Sequence, residues 1–155
     1  MYIVINGKIN NFLFSLDDYL NRKSSLIRRF EDGIFIWGTS RLYSVEKPGT
    51  KVLLYLSRDE EKGFDGCIVL SGEIEETGEL KEKYWPEGEW PYYIVIKVSV
   101  IPKSVLENKD PKRWKCVTRE VLKEKFNFKP MPGIQKLDDK IGEEIEKILA
   151  NIEKV

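Results

Sequence analysis

The chain contains no histidine, and its only two cysteines, Cys67 and Cys116, lie far apart in the sequence. Catalytic triads and acid–base chemistry based on histidine are therefore excluded, as are zinc sites built from closely spaced cysteine and histidine. We expect neither a resident metal nor a cofactor. Cys67 stands in the apolar run 66–70, which favours a place in the core as a small hydrophobic side chain.

Long apolar runs are also missing. No stretch approaches the roughly 20 residues of a membrane-spanning helix, and the first residues lack the basic and apolar regions of a signal peptide. We expect a cytoplasmic protein that does not bind membranes. Hydrophobic residues make up 41% and charged residues 34% of the 155, which is typical of a folded globular chain. The length predicts one domain over residues 1–155, and the abundance of Lys, Glu and Ile suits a thermophile.

An excess of either charge is absent, because 26 basic residues balance 26 acidic ones. The charges are nevertheless unevenly distributed. Segment 103–129 holds nine basic and four acidic residues, whereas segment 59–89 holds eleven acidic and three basic ones. The first segment could face phosphates while the second repels them. Solvated surfaces with scattered salt bridges produce the same pattern.

The order of apolar and turn residues predicts a mixed α+β fold. Runs of β-branched and aromatic residues indicate strands at 12–14, 34–37, 51–56, 64–74 and 92–101, with a turn at 47–50 and a bend or bulge at Gly66 and Gly72. Helical spacing favours helices over 17–30, 118–126 and 138–155, with Thr118 and Asp138 as N-caps. Five or six strands with about three helices, without a regular βαβ alternation, predict a small, partly closed barrel. The helix 138–155 is expected to lead into a further domain of a longer parent protein.

Three tryptophans stand where strands and loops meet. Trp37 closes the apolar run 34–37, and Trp85 and Trp90 lie in a loop rich in Pro, Gly and Glu. Two indole planes that face each other could hold a nucleobase, since stacking is worth about 1–3 kcal/mol per base. A buried methyl group adds only about 0.8 kcal/mol, so polar groups at the edge of the slot must contribute. A core or plug role is the alternative for each tryptophan, and Trp114 is expected to be a structural anchor.

A series of short motifs follows one another along the chain: Phe12-Leu13-Phe14-Ser15-Leu16-Asp17-Asp18, Ile36-Trp37-Gly38-Thr39-Ser40, Val52-Leu53-Leu54-Tyr55-Leu56-Ser57, Gly63-Phe64-Asp65-Gly66-Cys67, Ile101-Pro102-Lys103-Ser104-Val105-Leu106 and Gly133-Ile134-Gln135-Lys136-Leu137. Their order resembles the YTH and EVE branches of the PUA-like superfamily, which are small mixed barrels that read modified bases. The segments 47–49 and 110–114 are more similar to EVE members. The resemblance covers about residues 12–149.

The resemblance implies that a modified base is held in an aromatic cage. Trp37 matches the first wall and Trp85 the second, with Trp90 as the competing candidate. The polar residues that touch the base edge in the family, usually Asn, correspond to Asp17 and Asp18. An ionised Asp only accepts hydrogen bonds, for example from an adenine exocyclic N–H.

Other polar and basic side chains complete the expected site. The remaining candidates for the base edge are Ser15, Thr39 and Ser40. The residues expected to contact phosphates are Arg22, Lys23, Arg28, Arg29, Arg41, Lys109, Lys112, Arg113, Lys115 and Arg119.

We therefore predict a protein that flips a modified base out of the duplex, N6-methyladenine first and 5-methylcytosine second. The resemblance implies the DNA-recognition module of an archaeal McrB-type restriction protein, acting with an AAA+ GTPase and a nuclease. The chain lacks the Walker A pattern Gly-x-x-x-x-Gly-Lys-Ser/Thr, and no spaced carboxylate pair marks an enzyme. An RNA-binding PUA-like module that ignores methylation, and an interaction domain that binds no nucleic acid, are the alternatives.

Overall fold

The fold is built from seven strands and four α-helices in residues 1–153, the part of the chain that the computed structural model describes. The strands are β1 Tyr2–Gly7, β2 Ile34–Thr39, β3 Lys51–Leu56, β4 Cys67–Glu79, β5 Tyr92–Val100, β6 Val117–Thr118 and β7 Ile134–Leu137. The helices are α1 Ile9–Asn21, α2 Lys103–Glu107, α3 Arg119–Phe126 and α4 Asp139–Asn151, with 3-10 turns at Ile27–Arg29 and Pro111–Arg113. The last two residues of the expected helix 138–155 lie outside the described residues.

All seven strands belong to one mixed sheet in the order β2-β5-β4-β3-β1-β7, with β6 paired to β4. Strands β1 and β3 run parallel, and the other pairs are antiparallel. Strands β2 and β7 lie at opposite ends of this order and do not pair with each other within residues 1–153. The predicted α+β class is confirmed, and the sheet is open rather than closed into a barrel.

Both faces of the central strands are buried, which is why their sequences are apolar throughout rather than alternating. In β3, Val52, Leu54 and Leu56 point into the core that includes Phe12 of α1. Leu53 and Tyr55 of the same strand point into a second core. That second core contains α3 and α4 on the opposite side of the sheet. The sheet therefore separates two hydrophobic layers.

The N-terminal region differs from the sequence-based prediction. The expected strand 12–14 is wrong, because residues 9–21 form the single helix α1. The expected helix 17–30 is correct only over 17–21, since α1 ends at Asn21 and only a 3-10 turn follows at Ile27–Arg29. Ile9, Phe12 and Leu16 are its buried apolar residues, and their spacing of three and four is helical. The run 2–7 supplies the strand instead and lies between β3 and β7. Helix α1 ends because Arg22 adopts a left-handed conformation, with a φ of 50°.

The rest of the element prediction agrees well with the structure. Strands β2, β3 and β5 occupy the expected segments, and β4 runs from 67 to 79 rather than from 64 to 74. Its register shifts between Ser71 and Gly72, as the glycine suggested, and again between Ile74 and Glu76. The predicted caps are present, since Thr118 accepts a hydrogen bond from Val121 N–H and Asp138 from Lys140 N–H and Ile141 N–H.

Cys67 and Cys116 form a disulfide across a sequence separation of 49. The expected place of Cys67 in the core is confirmed, whereas the disulfide was not predicted from the sequence. Strand β6 explains the difference: Thr118 pairs with Cys67 in the sheet and thereby brings residue 116 close to the start of β4. In the described residues, no helix is both long and apolar enough to span a lipid bilayer.

Candidate functional site

A cavity of about 240 Å³ opens where the ends of β1 and β2 meet the start of α1. The connection between β2 and β3, the loop between β4 and β5, and the residues before β7 complete its wall. A drug-sized ligand needs about 300–1,000 Å³, so this cavity suits a single ring system. Its lining comprises Ile5, Asn6, Gly7, Lys8, Asn11, Trp37, Gly38, Thr39, Ser40, Tyr43, Glu46, Trp85, Trp90, Gly133 and Ile134.

Three tryptophans form one side of this cavity. Trp85 is 1% exposed and meets Trp37 edge to face, with ring centroids 4.6 Å apart and planes at 80°. Trp90 meets Trp85 in a similar way, at 5.1 Å and 79°. The expectation that Trp37 and Trp85 face each other across a gap is therefore wrong, because the two rings touch and leave no space between them. Trp85 backs the cluster, and Trp90, only half-buried, lines the same cavity as Trp37.

Two glycines make room for these rings. A Cβ on Gly7, the last residue of β1, would collide with the six-membered ring of Trp37. A Cβ on Gly38, in β2, would lie 3.1 Å from Cε3 of Trp85 and 3.3 Å from Cβ of Trp90. The backbone therefore approaches the indoles closely only because these positions carry no side chain.

Helix α1 holds the tryptophan loop from behind. The Trp85 indole N–H donates to Ser15 Oγ at 2.9 Å, and the Tyr84 hydroxyl donates to Asp18 Oδ2 at 2.6 Å. Asp18 also accepts from the backbone N–H and the hydroxyl of Ser24. Burial, together with the hydrogen bond to Asp18, raises the pKa of Tyr84 above its ordinary value.

These contacts correct two predicted base-edge residues. Ser15 and Asp18 are 0% and 3% exposed, lie outside the cavity lining and bond to the residues behind it. Asp17 is exposed on the outside of α1, where its hydrogen bonds from Lys23 and Asn21 lower the pKa of its carboxyl group. Thr39 and Ser40 do line the cavity, and the Thr39 hydroxyl donates to the Arg41 carbonyl.

Several lining residues were missed because the first strand was placed too late in the chain. The polar residues that follow the true first strand are Lys8, Asn10 and Asn11, and two of them, Lys8 and Asn11, line the cavity. Asn6 lines it from the end of β1 and donates its side-chain N–H to the Met131 carbonyl. The apolar run 2–5 followed by asparagines was the sequence signal that could have located them.

Glu46 is the other residue that the sequence analysis missed. Its side chain is buried, and its Oε1 accepts the Tyr43 backbone N–H at 2.9 Å, while the Glu46 N–H donates to the Tyr43 carbonyl. The side-chain bond corresponds to one half of a capping box, and the backbone bond closes the turn 43–46. The other oxygen, Oε2, is buried and has no hydrogen-bond partner within residues 1–153. Burial raises the pKa of Glu46, and the Tyr43 N–H offsets only part of that rise.

Few of the ten predicted phosphate-binding residues lie near the cavity. The Arg41 guanidinium lies 5.0 Å above the ring of Tyr43, a lining residue, so Arg41 stands beside the cavity. Arg22 instead donates to the carbonyls of residues 27, 30 and 31 and pairs with Asp32, which commits it to the loop after α1. Lys23 pairs with Asp17 at 2.9 Å.

The remaining basic candidates surround other parts of the surface. Arg28 donates to the Arg22 carbonyl, and Arg29 lines a separate cavity next to Tyr84 and Tyr93. Arg119 lines a third cavity with Lys123 and Lys129. The last four candidates lie in the segment 103–129, are exposed and line none of these cavities. They are Lys109, Lys112, Arg113 and Lys115.

Two other cations lie closer to the site. Lys8 lines both the main cavity and a neighbouring one of about 410 Å³. That second cavity also contains Arg58 and Trp90. Within residues 1–153, no group of three or more His, Cys, Asp or Glu is arranged to hold a metal ion.

Comparison with known proteins identifies the fold. No family model matches the chain, and no curated protein matches it. Among solved structures, it is similar to the N-terminal domain of Thermococcus gammatolerans McrB bound to m5C DNA, with 18% sequence identity, a TM-score of 0.56 and 99% of each chain covered. It also matches a ZmASCH mutant protein from Zymomonas mobilis, with 11% identity, a TM-score of 0.47 and 95% of each chain covered. The chain thus has the fold of the McrB N-terminal domain, in keeping with the EVE- and PUA-like resemblance of its motifs.

Proposed function

We propose that this chain recognises a modified base in DNA by accepting the flipped base in the cavity that Trp37 and Trp90 line. The observation that carries the proposal is the cluster of three tryptophans on a cavity the size of one ring system. The McrB domain that shares this fold is bound to m5C DNA, which supports DNA as the polymer. 5-Methylcytosine accordingly joins N6-methyladenine as a leading candidate for the base.

The energetics require more than the aromatic walls. Extruding a base from a duplex costs a few kcal/mol, and stacking against an aromatic ring returns roughly 1–3 kcal/mol. The methyl group contributes about 0.8 kcal/mol when buried. Hydrogen bonds to the base edge must therefore supply the remainder. Asn11, Thr39 and Ser40 are available for this purpose because their side chains line the cavity.

Phosphate contacts are assigned to the cations nearest the cavity. Lys8 lines both cavities, Arg58 lines the adjoining one, and Arg41 lies over Tyr43 of the main cavity. We therefore assign to these three side chains the phosphates on either side of an extruded nucleotide. Each phosphate neutralised by such a contact makes the slope of log association constant against log salt concentration more negative by about 0.9. A shallow salt dependence, with a slope near −3, is expected if these three cations act alone.

The wider assembly is proposed by analogy. A base-recognition module with the fold of an McrB N-terminal domain would direct an AAA+ GTPase and a nuclease to modified DNA. In this arrangement the present chain contributes recognition, and catalysis belongs to its partners.

The test is a fluorescence-anisotropy titration with four ligands, namely modified and unmodified oligonucleotides of DNA and of RNA. We expect tighter binding to modified DNA. Trp37→Ala and Trp90→Ala should each weaken that binding roughly tenfold or more, because each removes one stacking surface. Leu106→Ala is the control, since Leu106 is 37% exposed and does not line the cavity.

Three outcomes would count against the proposal. Absence of binding to DNA and RNA at low salt would favour an interaction domain that binds no nucleic acid. Preference for RNA with no response to methylation would favour the RNA-binding module. Equal affinity for all four ligands, unaffected by either tryptophan substitution, would refute base recognition.

A further inference from the structure

We propose that Glu46 determines which bases the cavity accepts, with its free carboxylate oxygen accepting a hydrogen bond from the exocyclic amino group of the bound base. The cavity would then take an amino-bearing base, of the adenine or cytosine type, and reject a keto base such as thymine. This inference rests on the proposed function and assigns a specific chemical role to one side chain of that site.

The first argument is the unused hydrogen-bonding capacity of Glu46. Its side chain is 4% exposed, and Oε2 is one of two buried side-chain oxygens or nitrogens without a partner in residues 1–153. The other is the Ser71 hydroxyl in β4, which lies outside the cavity. Buried polar atoms normally have partners. Because Glu46 is a lining residue of the cavity, its enclosed and unpartnered carboxylate oxygen can serve as an acceptor for a ligand once the side chain turns it towards the base.

The second argument is that the turn does not require this oxygen. The bond between Oε1 and the Tyr43 N–H already completes the reciprocal pair that closes the turn 43–46. A buried oxygen without a donor destabilises the folded state. Burial also raises the pKa of the Glu46 carboxyl group, which shows that its surroundings disfavour the charge. An N–H group of a bound ligand at Oε2 would supply the missing donor and so offset the destabilisation caused by this buried oxygen.

The third argument concerns how the parts of the cavity divide the task of recognition. Stacking on Trp37 and Trp90 tolerates every base, because every base presents a π-face. 5-Methylcytosine and thymine carry the same methyl group at the same position, so contact with that methyl cannot separate them. Only the Watson–Crick edge differs. A carboxylate accepts and does not donate, so it favours the amino group of 5-methylcytosine and opposes the O4 of thymine.

The experiment measures affinities for DNA duplexes that carry one test base opposite an abasic site. This placement removes the base pair that would otherwise have to be broken, so differences arise in the cavity. The test bases are cytosine, 5-methylcytosine, thymine, adenine, N6-methyladenine and N6,N6-dimethyladenine, the last of which lacks an amino N–H. The proteins are the wild type, Glu46→Gln and Glu73→Gln. Glu73 is an exposed residue of β4 and provides a control of identical chemistry.

We expect the wild type and Glu73→Gln to bind 5-methylcytosine at least tenfold more tightly than thymine, and N6-methyladenine more tightly than its dimethyl form. In Glu46→Gln the amide can donate as well as accept, so the ratio of 5-methylcytosine to thymine should fall towards one. Thermal melting checks the fold of each variant. If Glu46→Gln fails to fold, Glu46→Asp keeps the acceptor on a shorter side chain, and it should retain a preference for 5-methylcytosine at reduced affinity.

Three results would overturn the assignment. They are equal binding of 5-methylcytosine and thymine by the wild type, an unchanged ratio in Glu46→Gln, and a uniform loss of affinity for every base in that variant. The proposed function has a separate criterion, which is the preference for 5-methylcytosine over cytosine or for N6-methyladenine over unmodified adenine in the same duplexes. The two ideas can therefore fail independently.

Discussion

Two carboxylate side chains are buried within residues 1–153, and their surroundings differ sharply. Asp18, 3% exposed, accepts hydrogen bonds from the Ser24 backbone, the Ser24 hydroxyl and the Tyr84 hydroxyl at 2.6–2.8 Å. Glu46, 4% exposed, accepts one hydrogen bond, from Tyr43 N–H, and its second oxygen has no donor among the described residues. Burial alone therefore does not single out a candidate carboxylate, whereas unfilled hydrogen-bonding capacity in a residue that lines a cavity does.

The two carboxylates also occupy different layers of the site. Asp18 lies on α1 behind the tryptophans and holds Tyr84, the neighbour of Trp85. Glu46 lies on the cavity wall itself. We infer that the Asp18 side of the cluster is preorganised by the protein, whereas the Glu46 side is completed by a ligand.

Replacing Asp18 should give the largest effect on stability. In Asp18→Asn, an amide N–H₂ would face donors from Ser24 or Tyr84, so the free energy of unfolding should fall by about 3 kcal/mol. Urea denaturation measures the change. Asp17→Asn, at the exposed neighbouring position, should alter stability by no more than about 0.5 kcal/mol. Similar losses in both variants would show that the buried network is not the cause.

Ser15→Ala should have the next largest effect. It leaves the buried Trp85 indole N–H without an acceptor, which is expected to lower the free energy of unfolding by about 1–2 kcal/mol. A shift in tryptophan fluorescence should accompany the loss, since Trp85 is no longer fixed to α1. Ser25→Ala, on the exposed surface after α1, is the control. Unchanged stability and fluorescence in Ser15→Ala would contradict the anchoring role.

Tyr84→Phe should cost less, because Asp18 keeps both hydrogen bonds from Ser24. We expect a loss of about 1 kcal/mol in the free energy of unfolding. The double variant with Asp18→Asn should lose less than the sum of the single variants, since both remove the same hydrogen bond. Strict additivity in this double-mutant cycle would separate Tyr84 from the network.

Glu46→Gln should give the smallest change in the free energy of unfolding, and it should raise this free energy where the preceding variants lower it. The pKa of this carboxyl group is raised in the folded state, so the folded protein binds the proton more tightly than the unfolded chain does. Stability from this group is therefore fully present below the unfolded pKa and is lost as the pH rises through the folded pKa. The variant should be more stable than the wild type at neutral pH, by less than about 1 kcal/mol. The difference should shrink as the pH is lowered through that window, as followed by urea denaturation. A variant less stable than the wild type at neutral pH would assign Glu46 to folding instead.

The sequence was sufficient to place the tryptophans but not to describe their geometry. The apolar run 34–37 correctly located Trp37 at a strand, and the Pro- and Gly-rich segment correctly placed Trp85 and Trp90 in a loop. The angle between two rings depends on the depth at which each packs. That depth is set by Gly7, Gly38 and Ser15, which come from three different elements. Local patterns do not report such contacts.

The N-terminal error and the missed carboxylate have separate physical causes. Phe12-Leu13-Phe14 is apolar at consecutive positions and reads as a strand, yet only Phe12 of the three is fully buried, on one face of α1. This shift displaced the expected base-edge residues from Lys8, Asn10 and Asn11 to Asp17 and Asp18. Glu46 was indistinguishable among 26 acidic residues, because its burial arises only when the turn 43–46 packs beside the cavity.

The Cys67–Cys116 disulfide encloses the loop between β4 and β5, including both Trp85 and Trp90. A protease that cuts the exposed stretch 86–89 would therefore leave two fragments joined through sulfur. The nicked protein should migrate as one species under oxidising electrophoresis and as two after treatment with a thiol. Cleavage of this loop would release Trp85 and Trp90 from an intact backbone without any amino-acid substitution.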